Sequence, residues 1–318
     1  MTRRSLLALS LLVLSACGGP PFVAAHVTTP LPDPKGGVHA EAFFSATDGT
    51  KLFEQSWRPV GSARAVVVVV HGLKDHGNRY ADFAASLVGD GFAVYAADLR
   101  GHGHSDGVRV YVDSFDQYLD DLDVLMKLVR AREPGKPVFL FGHSMGGAIV
   151  TLYTIRHKPD LAGLILSGAA LRAGVSGFKV FGTGLVAGLS PNAGVFQLDL
   201  HDFSRDPAVV ERGLHDPLVY QGAAPARTAK ELLHAIDEID QHMEDVTVPL
   251  LVLHGDADKV TIPSGSKELY GRARSRDKTI HVYLGLYHDL LHEPERAGLT
   301  DVIVSWIDKR APVAPKPG

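Results

Sequence analysis

Short apolar runs alternate with helix-patterned segments through most of this chain. Residues 65–70, AVVVVV, form a continuous β-branched run that is typical of a strand buried on both faces of a sheet. Residues 115–131 instead show the apolar spacing of an amphipathic helix. Further strand-like runs are residues 92–99, 137–142, 161–168, 249–255 and 279–285. This alternation predicts an α/β fold with a mostly parallel central sheet and helices on both faces.

Two stretches depart from the alternation. Residues 39–58 have the pattern of an antiparallel pair of strands at one edge of the sheet. Residues 170–236 carry many glycines with scattered leucine, valine and phenylalanine. We predict that 170–236 forms an inserted helical cap; the alternative is an extended loop with an extra helix pair. The folded domain is expected to cover residues 38–312.

The N-terminal segment has the layout of a secretory signal peptide over residues 1–16. Arg3 and Arg4 are followed by an apolar run, residues 6–14, and then by small residues. The sequence Leu-Ser-Ala-Cys that ends at Cys17 resembles the bacterial lipobox, which implies lipidation of Cys17. The alternative is an ordinary secreted protein with an isolated thiol. The expected location is therefore the bacterial cell envelope, with Cys17 anchored in the membrane.

The segments that flank the predicted domain have a different composition. Residues 17–37 are rich in proline, glycine and threonine, which predicts a tether. Residues 313–318 are predicted to form a disordered tail.

Charge and cysteine content narrow the possible partners. The 318 residues carry a formal net charge of -4, and no basic stripe is present, so nucleic acid is not an expected partner. Cys17 is the one cysteine, so a domain that begins after it can form no internal disulfide. The length fits one large domain or two smaller ones, and the oligomeric state is left open.

A nucleophile motif lies between a predicted strand and a predicted helix. The sequence Gly-His-Ser-Met-Gly over 142–146 fits G-x-S-x-G, and the helical pattern 146–157 follows it. This context predicts a sharp strand-to-helix turn that raises the Ser144 hydroxyl above the sheet edge. The helix N-terminus at this point favours developing negative charge.

A serine nucleophile needs a base and an orienting acid, which follow it in the chain in this kind of fold. Asp256 and Asp258 lie in the turn after the strand run 249–255, and His288 and His292 follow the next run. We select Asp258 and His288; Asp256 and His292 remain competitors, because spacing alone does not separate neighbouring positions.

The tetrahedral intermediate that a serine nucleophile forms also requires two donors for its oxyanion. The backbone N–H of Met145, directly after the nucleophile, is the first candidate. The second is the backbone N–H of Leu73, in the loop that follows the strand 65–70.

The chain contains 16 histidines, which raises the question of a metal site. His71, His76, His102 and His104 lie in loops after predicted strands. The sequence has no H-E-x-x-H pattern and no pair of cysteine ligands. We therefore predict neither metal nor cofactor, and histidines that organise the loops around a pocket.

These motifs together resemble the monoacylglycerol lipase and lysophospholipase group of α/β-hydrolases. The matching stretches include HGLKDHGNRY, DLRGHGHSDG, PVFLFGHSMGG, VPLLVLHGDADKV and YLGLYHDLLHE, which spread over about residues 40–310. The resemblance implies Ser144 as nucleophile, Asp258 as acid, His288 as base, and Leu73 and Met145 as the oxyanion hole. It also implies an acyl-enzyme reaction without a cofactor, and a cap over an apolar acyl channel.

The implied substrate is a small lipid ester, first of all a monoacylglycerol. A lysophospholipase or a broad carboxylesterase is the alternative enzyme. An alternative of another class is a lipid-binding lipoprotein without catalytic activity.

Overall fold

The computed structural model describes residues 27–30, 37–173 and 184–311. The predicted signal peptide, Cys17 and the predicted tail lie outside these ranges, as does part of the predicted cap. Among the described residues, no helix is both long enough and apolar enough to cross a membrane.

A nine-stranded sheet forms the centre of the domain. Its strands, with a separate pair β8 and β9, are β1 (Val27–Pro30), β2 (Gly37–Ser45), β3 (Lys51–Pro59), β4 (Val66–Val70), β5 (Ala93–Ala97), β6 (Val138–His143), β7 (Gly163–Ser167), β8 (Gly194–Phe196), β9 (Ala224–Pro225), β10 (Leu250–Gly255) and β11 (Lys278–Tyr283). The order across the sheet is β1-β2-β3-β5-β4-β6-β7-β10-β11. The pairings from β1 to β5 are antiparallel, and all those from β5 to β11 are parallel.

Helices connect the parallel strands or follow the last of them. They are α1 (Ala81–Gly89), α2 (Asp116–Arg132), α3 (Met145–His157), α4 (Pro207–His215), α5 (Ala226–His242), α6 (Pro263–Arg272) and α7 (Arg296–Asp308). Residues 184–189 are also helical.

The side chains of β4 show that both faces of the sheet are covered. Val66, Val68 and Val70 belong to an apolar cluster that includes α2, α3 and α5. Val67 and Val69 point the other way, into a cluster that includes α1 and α7. A strand with both faces buried needs no polar alternation, which is the reason for its unbroken valine run. The predicted α/β fold, with a mostly parallel sheet and helices on both faces, is confirmed.

The N-terminal edge of the sheet differs from expectation at one place. The antiparallel pair predicted within 39–58 is β2 and β3, but β1 adds outside it, with Thr28 opposite Ala40. Residues 27–30 therefore form a strand where the sequence predicted a tether. Val27, Thr28 and Thr29 are β-branched, which favours extended backbone, and the open edge of β2 supplies hydrogen-bond partners.

Candidate active site

Ser144 lies at a strained turn between β6, which ends at His143, and α3, which begins at Met145. Its backbone has φ 55° and ψ -122°, a conformation that a non-glycine residue rarely adopts. Such strain costs on the order of 1–3 kcal/mol and persists only where the surrounding fold enforces it. Ser144 remains 8% exposed, so its hydroxyl is reachable at the carboxyl edge of the sheet.

Glycines at 142 and 146 make this turn possible. A Cβ at position 146 would lie 2.2 Å from the Val70 carbonyl oxygen, and a Cβ at position 142 would lie 2.5 Å from Val150 Cγ2. Both distances are much shorter than van der Waals contact, so a residue with a side chain does not fit at either position of the motif.

The turn after β10 and the loop after β11 bring an acid and a base together. His288 Nδ1 lies 2.8 Å from Asp258 Oδ2, and both side chains are buried. The competing residues have other partners. Asp256 Oδ1 accepts the Gly285 N–H at 2.6 Å, and His292 Nδ1 lies 2.8 Å from Asp289 Oδ1.

The Asp258 carboxylate is held by several donors. Oδ1 accepts the N–H groups of Val260 and Thr261 at 2.8 and 2.9 Å, and Oδ2 accepts the Thr261 hydroxyl at 2.8 Å. Burial alone would raise the pKa of Asp258, but the charge of His288 and hydrogen bonds from His254, His288 and the Thr261 N–H hold it well below its usual range. Asp258 is therefore ionised at neutral pH and can fix the tautomer of His288.

His254, near the end of β10, contacts the same carboxylate oxygen. Its Nε2 lies 3.1 Å from Asp258 Oδ2, and its Nδ1 lies 2.7 Å from the hydroxyl of Ser266 on α6. His254 and Ser266 are fully buried. The sequence does not predict this pair, because its only signal is a polar residue inside an otherwise apolar strand run, 249–255.

The base and the nucleophile are not yet hydrogen-bonded. His288 Nε2 is buried and has no hydrogen-bond partner among the described residues. The ring of His143, next to Ser144, lies 4.7 Å from the His288 ring, so the base stands over the nucleophile turn. Catalytic hydrogen bonds are often long without substrate and shorten in the reacting complex. His288 Nε2 is therefore free to accept the proton of the Ser144 hydroxyl.

The loop after β4 approaches the nucleophile from the other side. A Cβ at Gly72 would lie 3.0 Å from the Ser144 Cβ, which places the 72–73 backbone against the serine. Within the described ranges, neither the Leu73 nor the Met145 N–H donates to another backbone group. Two backbone donors beside one nucleophile match the requirement for an oxyanion hole.

Three histidines around the nucleophile, His71, His102 and His143, are buried. Burial lowers the pKa of His71 and His102 to about 3 and that of His143 to about 4. His76 Nε2 instead pairs with Asp216 at 3.0 Å. The described part of the chain brings together no group of three or more His, Cys, Asp or Glu that could hold a metal ion.

A cavity with a mostly apolar wall adjoins the oxyanion-hole loop. Its walls include Leu73, Lys74, Asp75, Arg79, Phe203 and Tyr220, and it encloses about 20 Å³. Arg79 Nε lies 3.0 Å from Asp75, and Arg79 Nη2 lies 2.9 Å from Asp289. Phe203 packs edge-on against the His288 ring, with the centroids 5.1 Å apart. The cavity is therefore bordered by Leu73, which supplies one oxyanion donor, and by Phe203, which contacts the base.

The fold and this arrangement define a serine hydrolase of the α/β-hydrolase class. The family model described as serine aminopeptidase, S33, matches residues 61–295, and the chain belongs to that family. Curated relatives include a monoacylglycerol lipase of Mycolicibacterium smegmatis, 37% identical over 85% of this chain and 97% of that protein. Human monoglyceride lipase is 33% identical over 84% of this chain and 90% of its own length.

A solved structure supports the same grouping. The monoacylglycerol lipase of Paleococcus ferrophilus superposes with a TM-score of 0.74 at 30% identity, over 81% of this chain and 99% of that one. These similarities cover nearly the whole length of the compared proteins, so the likeness extends well beyond the nucleophile motif.

Proposed function

We propose that this protein hydrolyses monoacylglycerols to glycerol and a free fatty acid. The observation that carries the proposal is the Asp258–His288 pair, 2.8 Å apart, at the same sheet edge as the strained Ser144. The monoacylglycerol lipases among the relatives, at 33% identity and above, support the choice of substrate.

The reaction follows from the position of each group. The Ser144 oxygen attacks the ester carbonyl carbon while His288 Nε2 takes the serine proton, and Asp258 stabilises the resulting imidazolium. The Leu73 and Met145 N–H groups donate to the oxyanion. The alcohol leaves with the proton from His288, and water then attacks the acyl-enzyme by the same route to release the fatty acid.

The cavity beside the oxyanion-hole loop has about the space of a single water, and His288 is fully buried. The segment between β7 and β10 supplies Phe203 and Tyr220 to the wall of this cavity.

We further propose that lipidated Cys17 anchors the protein in the bacterial cell envelope, so that substrate is drawn from the membrane. Only the sequence around Cys17 supports this step. A Cys17→Ser variant is expected to lose membrane association in cell fractionation and to hydrolyse membrane-embedded substrate more slowly. Equal distribution and equal rates in the two proteins would contradict the anchor.

The central test is a matched substrate panel of monooleoylglycerol, dioleoylglycerol, oleoyl-lysophosphatidylcholine and p-nitrophenyl butyrate. Ser144→Ala should lower every rate by about 10⁴-fold or more, since the triad acts as a unit. Its thermal unfolding should stay close to that of the parent protein, because alanine keeps the Cβ.

The outcomes separate the candidate activities. Preference for monooleoylglycerol supports the proposal, and preference for the lysophospholipid indicates a lysophospholipase. Cleavage of the small ester alone indicates a broad carboxylesterase. If no ester is cleaved and a fluorophosphonate does not label Ser144, the proposal fails and a lipid-binding role takes its place.

A further inference from the structure

A short segment of the predicted cap, residues 203–205, lies against the loop that carries the base. The Phe203 ring packs edge-on against the His288 ring, and the Phe203 carbonyl accepts the Asp289 N–H at 2.7 Å. The Ser204 hydroxyl donates to a carbonyl of the same loop at 2.8 Å. The segment is therefore joined to the base loop through its backbone as well as its side chains.

The strongest link between the two is a buried ion pair. Glu293, at the end of the base loop, is fully buried. Its Oε2 accepts the Arg205 Nε–H at 2.8 Å, and its Oε1 accepts the Arg205 backbone N–H at 3.2 Å. Among the described residues, Arg205 is the one cation within salt-bridge distance of this carboxylate. Loss of one partner of a buried pair leaves an uncompensated charge, so Glu293 is held where Arg205 lies.

The same carboxylate anchors the backbone that precedes the base. Glu293 Oε1 also accepts the Tyr287 N–H at 3.1 Å. On the other side of the base, the Asp289 N–H donates to the Phe203 carbonyl. Both backbone neighbours of His288 are thus fixed to the cap segment, one directly and one through the buried carboxylate. The position of the imidazole depends on these two anchors.

Asp258 alone does not fix the base in this way. It contacts the ring at Nδ1, 2.8 Å away, whereas the serine hydroxyl and later the leaving oxygen need the opposite ring atom, Nε2. A hydrogen bond at one ring atom leaves the tilt of the ring to be set by the backbone that carries it. Since a misplacement of about 1 Å can cost about 100-fold in rate, support for that backbone bears directly on proton transfer.

We propose that Arg205 is a positioning residue for the catalytic base, and that it acts through Glu293 to hold the His288 loop in place for proton transfer. This inference rests on the proposed ester hydrolysis and deepens it, because it gives a residue of the predicted cap a part in the chemistry of the site. No bond forms or breaks at Arg205 or Glu293. The proton moves only between Ser144, His288 and the leaving alcohol.

The test compares two esters of one acid, ethyl butyrate and p-nitrophenyl butyrate, on the full chain. The ethyl alcohol needs a proton from His288 as it leaves, whereas p-nitrophenolate leaves with little help from an acid. In Arg205→Met, kcat/KM for ethyl butyrate should fall by about tenfold or more, and the ratio of the ethyl to the p-nitrophenyl value by about threefold or more. Titration with a fluorophosphonate counts the active sites. A smaller folded fraction lowers both values equally and leaves the ratio unchanged.

Two further variants frame this result. Arg205→Lys keeps the charge and one donor, so its ratio should lie between those of Arg205→Met and the parent protein. Arg272→Met is the matched control, because Arg272 on α6 is 32% exposed against 33% for Arg205 and also pairs with more than one carboxylate. Its ratio should stay within about twofold of the parent value.

A double variant covers the case in which Arg205→Met does not fold. Arg205→Met with Glu293→Gln removes both charges, so no unpaired charge stays buried. The glutamine side-chain oxygen can still accept the Tyr287 N–H, but no ion pair fixes that side chain. The lowered ratio is therefore expected in the double variant as well.

Two results would overturn the inference. One is a parent-like ratio in Arg205→Met, or in the double variant where the single variant does not fold. The other is an equal fall of the ratio in Arg272→Met, which would show that the loss of any such ion pair has this effect. Failure of the proposed ester hydrolysis is distinct, since the parent protein would then cleave neither ester and a fluorophosphonate would not label Ser144.

Discussion

The carboxyl edge of the central sheet is packed more closely than the exposed positions between residues 184 and 196 of the predicted cap. Every residue of β4, β6, β7 and β10 is buried, and the loops that follow these strands carry Ser144, Asp258 and the oxyanion donors. In the described part of the cap, Leu185 is 57% exposed and Leu189 is 81% exposed, and β8 is exposed throughout. Close packing fixes the backbone at the sheet edge, whereas the exposed side chains of Leu185 and Leu189 make fewer such contacts. Catalytic geometry thus depends on the first region.

The largest contrast is expected from two glycines. Gly146→Ala should destabilise the protein by several kcal/mol and abolish activity, because its Cβ would lie 2.2 Å from the Val70 carbonyl oxygen. Gly188→Ala is the matched change in the cap, where the added Cβ meets nothing within 4 Å. It should be neutral or stabilising by up to about 1 kcal/mol, since residues 184–189 are helical. Urea denaturation measures both, and equal losses would contradict the contrast.

A smaller effect is expected at His254. His254→Leu removes the contact to Asp258 Oδ2 and should lower kcat by about 10- to 100-fold, with KM nearly unchanged. His254→Gln retains an N–H donor and should recover most of the loss. Steady-state kinetics on a soluble ester measure kcat and KM of each variant separately, and thermal unfolding checks that each variant is folded. A purely structural His254 would show lower stability in both variants without the selective loss of kcat.

Acid should act on the sheet edge through its buried histidines. His71, His102 and His143 have folded pKa values of about 3, 3 and 4, well below the ordinary 6.5. At a pH between the folded and the unfolded pKa of a histidine, the unfolded chain binds more protons than the folded chain. The free energy of unfolding therefore falls as pH falls from about 6.5 to 4. Each histidine contributes at most about 1.4 kcal/mol per pH unit.

The carboxylates extend this loss to lower pH. The folded pKa values of Asp258 and Asp289 are depressed, so both carboxylates stabilise the folded state above about pH 4. This stabilisation is lost as pH falls below that value. Urea denaturation at pH 7, 6 and 5 tests the histidine part. A flat free energy of unfolding over that range would show that these histidines accept protons in the folded protein.

The smallest effect is expected at the cap surface. Leu189→Ala should change the free energy of unfolding by less than about 0.5 kcal/mol, because the side chain is already 81% exposed. Leu166→Ala, fully buried in β7, is the matched change and should cost about 2–5 kcal/mol. A large loss from Leu189→Ala would mean that the cap surface is covered in solution.

Local pattern was sufficient for much of the fold. The run 65–70 predicted β4 to within one residue, because a strand buried on both faces needs apolar residues at every position. The segment 115–131 similarly predicted α2. Residues 27–30 were missed as a strand, since edge pairing depends on what lies beside the segment and not on the segment itself.

The site was predictable to different degrees. Ser144 follows from its motif, because the turn requires glycines at fixed positions around it. Asp258 and Asp256 are chemically identical and two residues apart, so only the loop conformation determines which carboxylate meets His288. His254 and Lys74 carried no sequence signal that separates them from other histidines and lysines.

The sequence by itself determined the order of strands and helices, the nucleophile turn and the chemical types of the acid and base. These features are local, since they depend on periodicity and on the small volume of glycine. Tertiary structure alone decided that Asp258 binds both His288 and His254, and that Lys74 is buried beside the oxyanion hole with no salt-bridge partner among the described residues. Such relations join residues far apart in the chain, and the packing of the strands and loops on one sheet edge creates them.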